Sequence, residues 1–162
     1  MKKYFLLVTI LFASCAEQKQ EPKTAGYSIR GEEESYMIGS DETTDFIRKW
    51  ADAHNERDME SILSMEKADI KIELPDGTVI NGQDEHSKVL ESFFANNVTW
   101  KPYWMLPYNS VVAKETWVIA GFALTSNVDG EENVVLHMGD IQLEDGLVSR
   151  IIVYENQRPK KK

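Results

Sequence analysis

Cysteine is nearly missing from this chain: one residue, Cys15, in 162. That excludes a disulfide framework, a thiolate zinc site and a Cys-x-x-Cys redox pair. Basic residues are also short, 18 Lys and Arg against 27 Asp and Glu, giving a formal charge of −9. Phosphate recognition needs a basic face, so nucleic acid is not an expected partner. Long apolar runs are absent as well. The longest, Tyr4–Phe12, has nine residues, whereas a membrane-spanning helix takes about 20. What remains is 42% hydrophobic and 28% charged, enough for a folded core and too balanced for wholesale disorder. The length suits one ordinary domain.

Met1-Lys2-Lys3 ahead of that apolar run has the layout of a secretory leader. The segment Leu11-Phe12-Ala13-Ser14-Cys15, followed by a charged, Gln-rich stretch, resembles a bacterial lipobox, although Phe12 stands where leucine is usual. The resemblance implies cleavage before Cys15 and lipid attachment to its sulfur. The alternative is ordinary cleavage, for instance after Cys15. Residues 1–14 are thus expected to be a lipoprotein signal peptide, whose loss of Lys2 and Lys3 takes the charge from −9 to −11. Two or three buried acyl chains, at about 0.8 kcal/mol per CH₂, make a lasting tether. The expected location is the cell envelope, anchored on the extracytoplasmic side, periplasmic or surface.

Residues 15–40 hold no helical or strand period and carry the acidic run Glu32-Glu33-Glu34, which reads as a lipid-anchored flexible tether. The domain is expected over 41–157, and Arg158 with Lys160–Lys162 makes 158–162 a basic tail. Within the domain, Phe46, Ile47, Trp50, Ala51 and His54 share a helical face behind Asp41 and Glu42. Asp58 is placed to cap a short second helix through Ile62 and Leu63. Ile70, Ile72 and Leu74 alternate with charged residues as a strand, Pro75-Asp76-Gly77 turns the chain, and Thr78–Ile80 returns. After Gly82 a third helix aligns His86, Val89, Leu90, Phe93 and Phe94. From Val98 the pattern is β, read as 99–103, 110–113, 116–126, 133–143 and 147–155. Core candidates are Phe46, Ile47, Trp50, Ile62, Leu63, Leu90, Phe93, Phe94, Ile119, Ile141, Leu143 and Ile151.

Three stretches carry a family resemblance: Trp50-Ala51-Asp52-Ala53-His54-Asn55-Glu56-Arg57-Asp58; Pro75-Asp76-Gly77 with Gly82; and Leu143-Glu144-Asp145-Gly146-Leu147-Val148-Ser149-Arg150 through Tyr154. In this order and spacing the chain resembles the nuclear-transport-factor-2-like (NTF2-like, SnoaL-like) superfamily over about 41–155. The resemblance implies an α+β fold, cone-shaped, with N-terminal helices packed in a curved, mostly antiparallel sheet. It does not fix an activity, since this fold hosts isomerases, cyclases, hydrolases and binding proteins.

All three histidines run in phase with apolar residues: His54 four after Trp50, His86 four before Leu90, His137 alternating with Val135 and Ile141. Trp104 and Trp117 belong to a tryptophan-dense stretch that offers stacking faces. Trp50, His54, His86, Trp104, Trp117 and His137 are therefore the candidate ligand-binding residues. The ordinary alternative for each is core packing. No histidine pair has ligand spacing, so neither metal nor cofactor is assigned. Resemblance to ketosteroid isomerase and polyketide cyclases brings in Asp140 beside His137 as a catalytic acid or base. By the period-two rule, however, Asp140 shares a polar face with Gln142. The leading expectation is a membrane-tethered domain binding a small, largely apolar molecule. The alternative is an isomerase, cyclase or hydrolase using His137 or Asp140, and any acid–base pair in the cone within about 3 Å of one another would favour it. Apolar residues on both faces of the late strands lead to an expected homodimer.

Overall fold

In the computed structural model the described residues are 24–28, 34–128 and 130–156. The leader, Cys15, Asp129 and the basic tail lie outside them.

Helix α1 (Asp41–Glu56) begins after Ser40, whose backbone is extended and whose hydroxyl pairs with Thr43 Oγ1 at 3.1 Å. It ends at Arg57, which takes a left-handed conformation at φ 59°. Its buried stripe is Ile47, Trp50, Ala51 and His54, with Ala53 beside them. Helix α2 (Met59–Ser64) is capped by Asp58, whose carboxylate accepts from the Ser61 N–H at 3.0 Å. Helix α3 (Gly82–Ala95) buries His86 and Leu90.

Among the described residues eight strands form one sheet: β1 (Gly26–Ser28), β2 (Glu34–Ile38), β3 (Glu66–Glu73), β4 (Val79–Asn81), β5 (Thr99–Ser110), β6 (Thr116–Val128), β7 (Glu131–Glu144) and β8 (Leu147–Asn156). The spatial order is β1-β2-β5-β6-β7-β8-β3-β4. Every neighbouring pair is antiparallel except β3 with β8, joined in parallel through Ile72–Ile151 and Glu73–Ile152. The helices pack against one face of this sheet, α1 on β5 and β6 and α3 on β3 and β4. This is the α+β cone expected from the sequence, with α1 and α3 inside the curve.

Three parts differ from the sequence reading. The stretch read as tether contains β1 and β2, and β2 extends the sheet along the end of β5, pairing Tyr36 with Ser110 and Ile38 with Tyr108. No apolar–polar alternation announced it; β2 lies between β1 and β5 and takes its register from those two neighbours. The two short strands expected over 99–103 and 110–113 are one strand, β5, which runs through Pro102 and Pro107. Proline is tolerated there because the β2 ladder covers only residues 108–110, leaving most of that edge without a partner needing its N–H. Finally, β6 turns Val118, Ala120 and Phe122 inward, all fully buried, rather than Ile119. Phe93, also placed in the core, is 40% exposed at the cavity wall.

Candidate functional site

A cavity of about 160 Å³ opens between the helices and the concave face of the sheet. Its wall is almost entirely hydrocarbon and aromatic: Ile72, Ile80, Val89, Leu90, Phe93, Phe94, Leu124, Ile151 and Val153 among others. The polar side chains that reach it are His54, Asn55, His86 and His137, with the indoles of Trp50 and Trp100.

At one end three elements bring a buried polar cluster together. Trp50 of α1 donates its indole N–H to Glu66 Oε1 of β3 at 2.9 Å. Glu66 Oε2 lies 3.0 Å from Nδ1 of His86 on α3. One turn beyond Trp50, His54 places Nδ1 2.7 Å from the Trp50 carbonyl oxygen. A carbonyl oxygen and a carboxylate only accept, so both imidazoles carry a proton on Nδ1, and Nε2 is the nitrogen each ring turns away from these partners. The two rings are 6.0 Å apart between centroids. Glu66, His86 and His54 are 3%, 5% and 7% exposed, so the cluster is cut off from bulk water.

Burial is the main influence on His54. It pushes the imidazole from 6.5 down to about 4, against the Trp50 hydrogen bond, which raises it, and with the nearby His86, which lowers it further. His54 is thus neutral across the physiological range. His137 is also lowered by burial, opposed by Glu155, whose carboxylate is 3.6 Å from Nε2. Around the cluster, Trp100 stacks on Phe122 at 4.2 Å and stands edge-on to Trp50 and His54. Its indole Nε1 is buried and has no hydrogen-bond partner among the described residues.

Of the residues singled out in the sequence, Trp50, His54, His86 and His137 line the cavity, whereas Trp104 and Trp117 do not. A bulge between Pro102 and Trp104 shifts the β5 register, and Trp104 then pairs with Gly121 on the outer face. An added Cβ on Gly121 would run into the Trp104 indole, which lies across it. Trp117 stacks on Tyr108 with 6.4 Å between centroids and donates to Glu115 at 2.9 Å, also outside. Asp140 pairs with Ile119 on that same outer face and accepts from the Tyr154 hydroxyl at 3.3 Å. Partial burial raises its carboxyl above the usual range, with the Tyr154 contact opposing. It does not line the cavity.

Glu66 was missed. Part of its signal was present: it sits four and six residues before Ile70 and Ile72, the buried residues of β3, but Ala68 between them is exposed and the pairing with β8 shifts register between Glu66 and Lys71. A charge at the head of that series hid the strand's true start. Asn55 was quoted in the helix motif without a role, yet its side chain bonds both backbone groups of Trp100, at 2.9 and 2.8 Å.

No protein-family model matches the chain, and no curated protein matches it. Solved structures do. A candidate ketosteroid isomerase from Kribbella flavida superposes with a TM-score of 0.61 at 17% identity, covering 77% of this chain and 85% of that one. The epoxide hydrolase/cyclase-like enzyme SalBIII of salinomycin pyran-ring formation gives 0.59 at 18%, covering 71% and 91%. An NTF2-like protein of unknown function from Cytophaga hutchinsonii gives 0.55 at 15%, covering 70% and 89%. At such identities the likeness is one of fold. The chain has the NTF2-like fold.

Proposed function

We propose that this protein is an acid–base enzyme of the isomerase, cyclase or hydrolase type, acting on a small, largely apolar molecule held in the cone. The observation that carries the reading is the 3.0 Å contact between Glu66 and His86 Nδ1 at the end of an apolar cavity. The carboxylate fixes the tautomer, so His86 presents a basic Nε2 and Glu66 steadies the imidazolium formed when that nitrogen takes a proton. Neutral His54 is a second proton acceptor beside it, and the apolar walls exclude water from the transfer. The solved structures described as isomerase and cyclase-like share the scaffold, and the pair itself favours catalysis over simple retention of a ligand. The acid–base role thereby moves from His137 and Asp140 to Glu66 and His86. The leader and Cys15 support a further proposal, that the domain works outside the cytoplasm on a lipid anchor.

The test uses a probe that needs only a positioned base in an apolar pocket, the ring-opening elimination of 5-nitrobenzisoxazole. Glu66→Gln keeps an acceptor for Trp50 Nε1 but turns its amide N–H₂ toward His86, inverting the histidine tautomer. We expect kcat/KM to fall by about 10²-fold or more, carried by kcat, with Asp140→Asn unchanged. Loss of activity in Asp140→Asn with a fully active Glu66→Gln would overturn the assignment.

A further inference from the structure

We infer that His54, Glu66 and His86 form a binding site for a divalent first-row transition ion, with Zn²⁺ as the fitting test ion. One ligand atom from each lies within 4.8 Å of the other two, and all three residues are buried. They come from α1, β3 and α3, so the tertiary fold and not a local motif assembles them.

The support around them is a second, independent observation. Ligating side chains of metal sites are oriented by hydrogen bonds from outside the ligand set. Here one residue does this twice: Trp50 holds His54 through its backbone carbonyl at 2.7 Å and Glu66 through its indole N–H at 2.9 Å. His54 is left with Nε2 as its donor, and no described residue hydrogen-bonds that atom. Burying two imidazoles and a carboxylate is costly without compensating partners; Trp50 and the Glu66–His86 contact supply one to each residue and leave Nε2 of His54 over.

The donor set selects the ion. Two imidazole nitrogens with one carboxylate oxygen suit Zn²⁺ or Fe²⁺, whereas Ca²⁺ and Mg²⁺ ask for oxygen throughout. Three protein ligands leave a fourth position, and the cavity lies beside it, which is the layout of a catalytic rather than a structural site. Ligands around a tetrahedral zinc sit roughly 3.3 Å apart. Glu66 Oε2 and His86 Nδ1 already meet at 3.0 Å across a hydrogen bond, so that nitrogen ligates by giving up its proton to solvent as the ion binds, and His54 is the side chain that closes in. An ion takes the lone pairs that would otherwise accept a proton, so metal-free and metal-bound protein are distinct functional states.

Metal uptake is read without turnover, which separates failure of this inference from failure of the acid–base reading. Chelator-stripped protein is equilibrated with Zn²⁺ and the bound metal is counted; Co²⁺ then reports geometry through its visible spectrum. One equivalent per chain is expected, with a four- or five-coordinate Co²⁺ spectrum. His54→Gln and His86→Gln should each weaken uptake by at least about 10-fold, and His137→Gln should not. Less than stoichiometric binding, or uptake unaffected by either glutamine at 54 or 86, overturns the site. Should a variant fail to fold, imidazole ¹⁵N shifts of the wild-type protein decide the matter on zinc addition. Movement of His54 and His86 supports the site, and movement of His137 alone refutes it.

Discussion

His54 ties the chemistry of the cavity to the stability of the fold. Its imidazole titrates near 6.5 in the unfolded chain and near 4 when folded. Between those values the unfolded state binds more protons, so stability is present above about pH 6.5 and drains away as pH falls toward 4. The lowered His137 acts with the same sign. From pH 7 to pH 5 the loss attributable to His54 is about 2 kcal/mol. Urea unfolding at the two pH values should show it, and His54→Gln should flatten the difference. Equal slopes in both proteins would show that His54 is solvated. Such single-residue effects were partly legible in the sequence. The helical spacing of Trp50 and His54 announced an inward histidine one turn after the Trp50 carbonyl, but nothing local announced that the Trp50 indole would also hold Glu66, sixteen residues on in β3.

Among the elements, α1 and α3 were readable because each has one apolar stripe and one charged face. Strand β6 was not. Trp117 and Ile119 compete with Val118, Ala120 and Phe122 for the inward face, and only the register with β5 and β7 settles which set is buried. The same ambiguity sent Trp117 into the expected ligand site. Asn55 shows how elements are joined where the ladder stops. At the start of β5 its amide takes the place of a missing strand, bonding both the N–H and the C=O of Trp100. Two such bonds at about 1 kcal/mol each make Asn55→Ala roughly 2 kcal/mol less stable, read from the urea midpoint at constant slope. Amide exchange at Thr99–Lys101 should accelerate with it. An unchanged midpoint would mean that water replaces the side chain without loss.

At the scale of the molecule, the outer face of the sheet remains apolar and open. Trp104, Leu106, Met138 and Tyr154 are 39%, 44%, 42% and 48% exposed there. The homodimer expected from the two-sided strands remains a proposal, with this face as its interface. A stable pair buries about 800 Å² on each partner. One experiment addresses assembly and address together: the full chain should fractionate with membranes, and Cys15→Ser should release it as a soluble particle of twice the monomer mass by light scattering. A monomer would remove the dimer, and a soluble wild type would remove the anchor.

The lone parallel pairing in the sheet governs when the protein can exist at all. β3 ends at Glu73, yet its long-range partner is Ile152, and Arg150 grips Glu73 at 2.6 and 2.9 Å. A ribosome that has delivered Glu66, His54 and His86 has delivered the whole polar cluster but not the strand beside which β3 lies. The most sequence-distant contact is made last, and contacts of that kind are slow to close. The cone's interior therefore stays unsealed through synthesis, its apolar wall exposed, until nearly the last residue of the domain has emerged.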